Sequence, residues 1–268
     1  RLAVTGQLSL VAGLRHDRIR IRRDDLITGS RAFSRTWNST GHRLGAVYAL
    51  TPTLSVYAQH SRAADPSTAP LMMSASGAKA DMTIGRQIEV GLKQSLPQQR
   101  GEWTLAAYHI TKHNLQSRDP ANPENSLQVG KQSSRGLEGT LSLALSPTLR
   151  LDADATVLRA RYDDFNDAVD GAIVSRSGNI PPDVPERLAN LWLSWQMHPQ
   201  WTLSGKARHV GKRHANRAND LTLPAYTTAD LALKWQPSDA TTLALHGHNI
   251  FNRHYYSTVY YNEKQWFV

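Results

Sequence analysis

The sequence predicts an all-β fold, an antiparallel transmembrane β-barrel, from three observations. Long stretches alternate apolar and polar residues, proline-bearing reversals recur between them, and aromatic residues gather beside those reversals. The chain has 268 residues and is 40% hydrophobic. It holds no unbroken apolar run near the ~18 residues that a membrane helix needs. A barrel strand alternates, so it looks hydrophilic on average even when it crosses a bilayer.

The alternation runs along most of the chain. Leu149, Leu151, Ala153, Ala155 and Val157 share one parity, and Arg150, Asp152, Asp154 and Thr156 the other. Leu137, Leu141, Leu143 and Leu145 alternate with Glu138, Thr140 and Ser142. The same holds for Leu8–Leu14, for Ile88, Val90 and Leu92 against Glu89 and Lys93, and for Leu231 and Leu233 against Asp230 and Lys234. Period two means a strand with one apolar face.

Five short reversals punctuate these strands: Leu50–Thr53, Leu96–Gln99, Ser146–Thr148, His198–Gln200 and Gln236–Asp239. Each carries a proline, which fixes φ and suits the second position of a turn. Their spacing of roughly 40–50 residues also fits repeat folds such as propellers. Propeller strands are short, about four to a repeat. Here two strands of about 9–14 residues fill each repeat, which suits the ~9–11 residues of a tilted membrane strand. About eleven strands result. At their other ends lie polar loops, approximately 22–38, 62–84, 114–128, 162–186 and 212–224. Short turns at one end and long loops at the other characterise outer-membrane barrels.

Tyr48, Trp103, Trp195, Trp201 and Trp235 lie within a few residues of the turns and share the apolar parity. They are expected to form an aromatic girdle at one membrane interface. On the opposite parity stand Glu89, Lys93, Glu138, Arg150, Asp152, Asp154, Lys206, Arg208, Asp230 and Lys234. A charge on the lipid face costs ~2–4 kcal/mol at midplane. These ten are therefore expected to line the lumen, either hydrating it or facing a plug.

The net charge is +9, with Lys and Arg scattered rather than in blocks. An anionic partner such as lipopolysaccharide or an acidic small ligand fits this balance better than nucleic acid. Cysteine is absent, which excludes disulfide frameworks and thiol chemistry. No nucleophile elbow, P-loop or dinucleotide fingerprint occurs. No catalytic residue is assigned, although His60-Ser61 and His209 are conceivable at a barrel rim. The pairs His246/His248 and His109/His113 share strand faces, but no ligand cluster surrounds them and no metal site is assigned. Arg1–Gly6 lacks the apolar stretch of a signal peptide, so upstream sequence is expected.

Six segments resemble the TonB-dependent receptors, especially their ferric-siderophore branch. They are Gly45–Pro52 followed by Leu54–Ala58, Gly85–Lys93, Gly130–Glu138, Ile180–Pro185 with Asn190-Leu191-Trp192, Leu223–Thr227 with Asp230, and Asn249–Tyr256. Each is weak alone, but the six occur in order over nearly the whole chain. One departure is His60–Pro66, which lacks the aromatic often found there. The haem-receptor motifs are also missing.

The resemblance implies that residues 1–268 are the C-terminal portion of a larger barrel of about 22 strands. The plug domain, the first half of the barrel and the last strand would be absent. It further implies energy-dependent uptake of a ferric siderophore across the outer membrane of a Gram-negative bacterium. The partners would be the siderophore, outer-membrane lipid and a TonB-type coupling protein reached through the missing N-terminal region. Iron would be carried within the ligand, with no resident cofactor. Candidate ligand contacts, from loops and upper lumen, are Trp37, Arg62, Arg86, Tyr108, His113, Arg118 and Tyr162. Arginine supplies hydrogen-bond donors and the aromatics supply stacking faces. Alternatives are TonB-dependent import of a vitamin, glycan or haem, a passive porin, and a rim-site enzyme.

Overall fold

The computed structural model describes residues 1–27, 29, 31–65, 81–118, 126–258, 260–262 and 265–267. Its dominant feature is one twelve-stranded antiparallel meander. In chain order its strands begin with β1 (Leu2–Ala3), β2 (Leu8–Asp24), β3 (Arg31–Ala49) and β4 (Leu54–Asp65). Next come β5 (Thr83–Leu96), β6 (Gly101–Arg118), β7 (Ser126–Ser146) and β8 (Leu149–Asp164). The hairpin of β9 (Asn166–Val169) and β10 (Ala172–Ser175) stands apart, and the sheet resumes with β11 (Arg187–His198) and β12 (Trp201–Val210). A small ladder, β13 (Arg213–His214) with β14 (Thr222–Leu223), precedes β15 (Tyr226–Ser238) and β16 (Thr241–Gly247). A last pair, β17 (Tyr260–Asn262) and β18 (Gln265–Phe267), lies outside the sheet. Eleven long strands and the two-residue β1 thus make the twelve.

The strands join by short reversals at one end, as the prolines indicate. One of them follows β5. There Gln98 adopts φ +56° and Gly101 φ +147°. A Cβ on Gly101 would lie 1.9 Å from the Ser142 carbonyl oxygen, so only glycine fits. One reversal is displaced from its expected place. Pro237 lies inside β15 at a register shift between Trp235 and Ser238, and the turn follows at 239–240. A bulge tolerates the missing N–H of proline.

At the opposite end the strands outrun the expected boundaries. β7 has 21 residues, β3 has 19 and β6 has 18. These exceed the ~9–11 needed to cross a bilayer. These hairpins therefore project beyond it, and the strands run into the expected loops 22–38, 62–84 and 114–128, whereas the connection from β12 to β15, 211–225, is no shorter than expected. For the expected loops 62–84 and 114–128, residues 66–80 and 119–125 lie outside the described residues.

The sheet carries its large apolar side chains outward. Leu14 is 79% exposed, Leu245 73% and Ile88 57%. Register places Ile88, Val90 and Leu92 beside His60, Ala58 and Val56 on β4, and beside His109, Ala107 and Leu105 on β6. The face continues through Leu137 and Leu141 to Val157 and Ala153, then to Leu191 on β11. An exposed apolar surface this extensive calls for a nonaqueous covering. Buried side chains instead gather at the long-hairpin end, where Trp37 and Met82 form one cluster and Tyr162, Phe165, Leu223 and Tyr226 are also buried.

Candidate functional site

All ten charged residues expected in the lumen fall on the face opposite the exposed leucines. Their contacts form ordered rows across the strands. Glu89 is only 8% exposed and accepts from Tyr57 Oη at 2.8 Å and from Gln87 Nε2 at 2.7 Å. Tyr57 has room because Gly91 lies opposite; a Cβ there would meet its ring at 2.6 Å. Tyr108 is placed likewise over Gly136, two residues before Glu138. Further along, Arg150 pairs with Asp152 at 3.0 Å, and Asn190 Nδ2 donates to Asp154 at 2.9 Å. Lys206 lies over the Trp192 ring at 5.6 Å, and in register Lys206 faces Asp230 and Arg208 faces Thr228. Lys93 pairs with Glu102 at 3.1 Å, while Lys234 faces Thr202. The wall is thus polar, of mixed sign and largely hydrogen-bonded.

The five turn-proximal aromatics lie on the outward face. Trp201 and Trp235 are register partners, Trp195 faces Leu203, and Trp103 faces Leu141. Trp103 Nε1 donates to Gln94 at 3.0 Å and Tyr48 Oη to Gln7 at 3.0 Å, which keeps their polar atoms satisfied.

The expected ligand contacts are more dispersed than loop positions would be, and the structure corrects their placement. Trp37 belongs to β3 and is 5% exposed against Met82, so its ring is packed rather than presented. Arg62 and Arg86 are direct register partners on the parity of Ile88, which turns them away from the lumen. Arg62 also donates to the Thr40 carbonyl. His113 faces Ile84 on the same outward parity. Tyr108 belongs to the mid-wall of β6, well below the loops. Arg118 ends β6, and its side chain lies outside the described residues. Tyr162 stands at the long-hairpin mouth, where it stacks on Phe165 with centroids 4.5 Å apart.

Sequence reasoning missed the groups that organise this mouth. Arg217 lies over Phe165 at 5.2 Å and pairs with Asp167 at 3.1 Å. Arg176 reaches the same carboxylate at 3.6 Å. Asn179 Nδ2 donates to the Arg217 carbonyl at 2.8 Å, and Asn219 exchanges two hydrogen bonds with the backbone of Ile180. Arginine and asparagine in a polar loop look like solvated residues until the fold joins loops 38–50 positions apart. The histidine pairs are also placed. His246 and His248 lie parallel with centroids 6.3 Å apart, and His248 is 3.8 Å from Asp230. Among the described residues no group of three or more His, Asp or Glu could hold a metal ion. His60 on β4 and His209 on β12 are separated by the intervening strands.

A family model described as TonB dependent receptor-like, beta-barrel, matches residues 1–250. The chain belongs to the TonB-dependent receptor β-barrel family. The metal-pseudopaline receptor CntO of Pseudomonas aeruginosa is 30% identical over 225 residues, covering 82% of this chain and 30% of that protein. The ferrioxamine receptor of Yersinia enterocolitica is 28% identical over 240 residues, covering 87% of this chain and 32% of that one. The crystal structure of the siderophore receptor PiuA from Acinetobacter baumannii superposes with a TM-score of 0.82 at 20% identity, covering 96% of this chain and 38% of that one. The chain therefore spans about a third of the length of the curated relatives it matches.

The segments resembling TonB-dependent receptors meet in space. Tyr57, Glu89 and Gly91, from two of them, form the wall contact described above. Asp230 accepts the Asn249 N–H at 2.8 Å, and Tyr226 stacks on Tyr255 with centroids 4.2 Å apart. Arg213 is 6% exposed and donates to the carbonyls of Tyr256 and Ser257 at 2.6 and 2.8 Å. Asp183 accepts from the Thr258 hydroxyl at 2.6 Å. In this TonB-dependent receptor wall, separate motifs thus hold one another at the mouth.

Proposed function

We propose that the full-length protein carrying this chain is an outer-membrane receptor for energy-dependent uptake of ferric siderophores. The observation that carries this reading is the likeness to ferrioxamine and metal-pseudopaline receptors over more than four-fifths of the chain. The outward apolar face supports insertion in the outer membrane of a Gram-negative bacterium, with the turns periplasmic and the long hairpins outside. Ligand is captured at the mouth, where Arg217 and the Tyr162–Phe165 stack offer a cation and an aromatic face. The mixed-charge wall then faces a plug whose rearrangement is driven by a TonB-type protein. The outward aromatics form the girdle at the turn end. The role is binding and transport rather than bond chemistry, and iron travels as part of the ligand.

A second reading is import of another metal complex by the same machinery. It is favoured by the 30% identity to a metal-pseudopaline receptor. Both are tested by metal uptake in a host lacking the full-length gene, across a panel of ferric siderophores, haem and other metal complexes. Loss of uptake of one ferric siderophore, restored by the intact gene, supports the first reading. The same loss and rescue for a different metal complex supports the second, and unchanged uptake throughout sinks both.

A further inference from the structure

The β2–β3 and β4–β5 hairpins part company before their strands end. The β3–β4 ladder runs from the Ala49–Ser55 pair only as far as His42 and Arg62. Beyond it β3 continues to Arg31 with β2 as its partner, and β4 continues to Asp65 with β5. The wall therefore forks at His42. A crevice of about 410 Å³ lies in the fork, lined by Trp37, Asn38, Thr40, Arg62, Asp81 and Met82 among others.

Where the backbone ladder stops, side chains join the two hairpins. Arg62 donates to the Thr40 carbonyl, Trp37 packs on Met82, and Arg35 pairs with Asp81 at 3.1 Å. At the base of the fork His42 Nε2 lies 3.2 Å from His60 Nδ1, with ring centroids 5.1 Å apart. Both rings are half-buried. In that contact one imidazole donates and the other accepts, so at least one of them is neutral. A histidine ordinarily gains its charge near about pH 6.5. With both rings charged, each nitrogen carries a proton, the bond is lost and two cations meet.

The surroundings offer such a pair no relief. Its outward neighbours are Leu14 and His16 on β2, Thr40 and Leu44 on β3, Ala58 and Arg62 on β4, and Arg86 and Ile88 on β5. His16 is itself bonded to Thr40 at 3.0 Å. These neighbours include two guanidiniums and no carboxylate. The same guanidiniums disfavour a metal ion between the two nitrogens.

We propose that His42 and His60 form an acid-sensitive latch that holds the outer half of the β2–β3 hairpin against β4. The latch is closed while one imidazole can accept, above the histidine range. It opens as pH falls through that range, and residues 34–41 of β3 then loosen from β4 while the ladder below His42 stays paired. The inference goes beyond the uptake reading and does not depend on which ligand is carried.

The test is hydrogen–deuterium exchange of the full-length receptor in detergent, at about pH 7.5 and about pH 5.0. Rates are corrected for the intrinsic exchange rate at each pH. Protection of residues 34–41 is expected to fall about tenfold in acid, while that of residues 137–144 on β7 holds. The double variant His42→Gln, His60→Gln keeps a donor and an acceptor at every pH and should show no such fall. His42→Phe should expose residues 34–41 already at the higher pH, with no further loss in acid. Wild-type protection that is the same at both pH values overturns the proposal without any variant. An equal fall on β7 would show general loosening of the barrel and also overturn it. So would a fall of wild-type size in the double variant, which would trace the effect to another group such as the Arg35–Asp81 pair.

Discussion

Trp201 and Trp235 face each other across β12 and β15, ring centroids 5.5 Å apart and within 15° of parallel. Stacked aromatics on the lipid side of neighbouring strands tie the turn end of the wall together. Such pairs contribute about 0.5–1.5 kcal/mol beyond their area. In a double-mutant cycle on the full-length protein refolded in lipid, Trp201→Ala and Trp235→Ala should couple by about 1 kcal/mol. Strictly additive losses would mean that the stack contributes nothing of its own.

Tyr57 and Glu89 predict a second coupling, on the lumen side. The carboxylate is 8% exposed and has Tyr57 and Gln87 as its donors. Tyr57→Phe removes one donor and should lower stability by about 1–3 kcal/mol. The same change made beside Glu89→Leu should cost clearly less, because no buried acceptor is then left short. Unfolding midpoints of the four proteins decide it.

The turn after β5 predicts a contrast between two glycines. Both Gly101 and Gly171 have positive φ, +147° and +79°. Gly171 has nothing within 4 Å of an added Cβ, whereas Gly101 has the Ser142 carbonyl oxygen at 1.9 Å. Gly171→Ala should therefore cost only its backbone strain, about 1 kcal/mol. Gly101→Ala should cost several times more and reduce the amount of folded barrel recovered from membranes. Equal recovery of the two variants would refute the assigned turn geometry.

Much of this wall was legible in the sequence because period two is a local property. The parities of β5, β7, β8 and β15 could be read one strand at a time, and with them the face shared by the ten charges and the opposite face shared by the five aromatics. Strand ends were not legible. Beyond the apolar band both faces meet water, so Arg159–Asp164 and Lys112–Arg118 lose their alternation and resemble loop while still pairing. Trp37 looked like a presented loop aromatic, but its burial depends on Met82, 45 positions away and unreadable from local pattern. The outward placement of Arg86 was readable, since it shares the parity of Ile88. The mouth depended wholly on contacts between distant loops, such as Arg217 with Asp167.

The central claim is that one face of this sheet meets lipid and the other an aqueous lumen. The chain contains no cysteine, so single cysteines placed along β8 report without interference. In intact membranes, a charged maleimide should label positions 150, 152, 154 and 156. It should spare 151, 153, 155 and 157, which a membrane-soluble reagent should reach instead. From Arg159 outward both parities should react with the charged reagent. Uniform labelling along 150–157, or alternation of the opposite sense, would contradict the account.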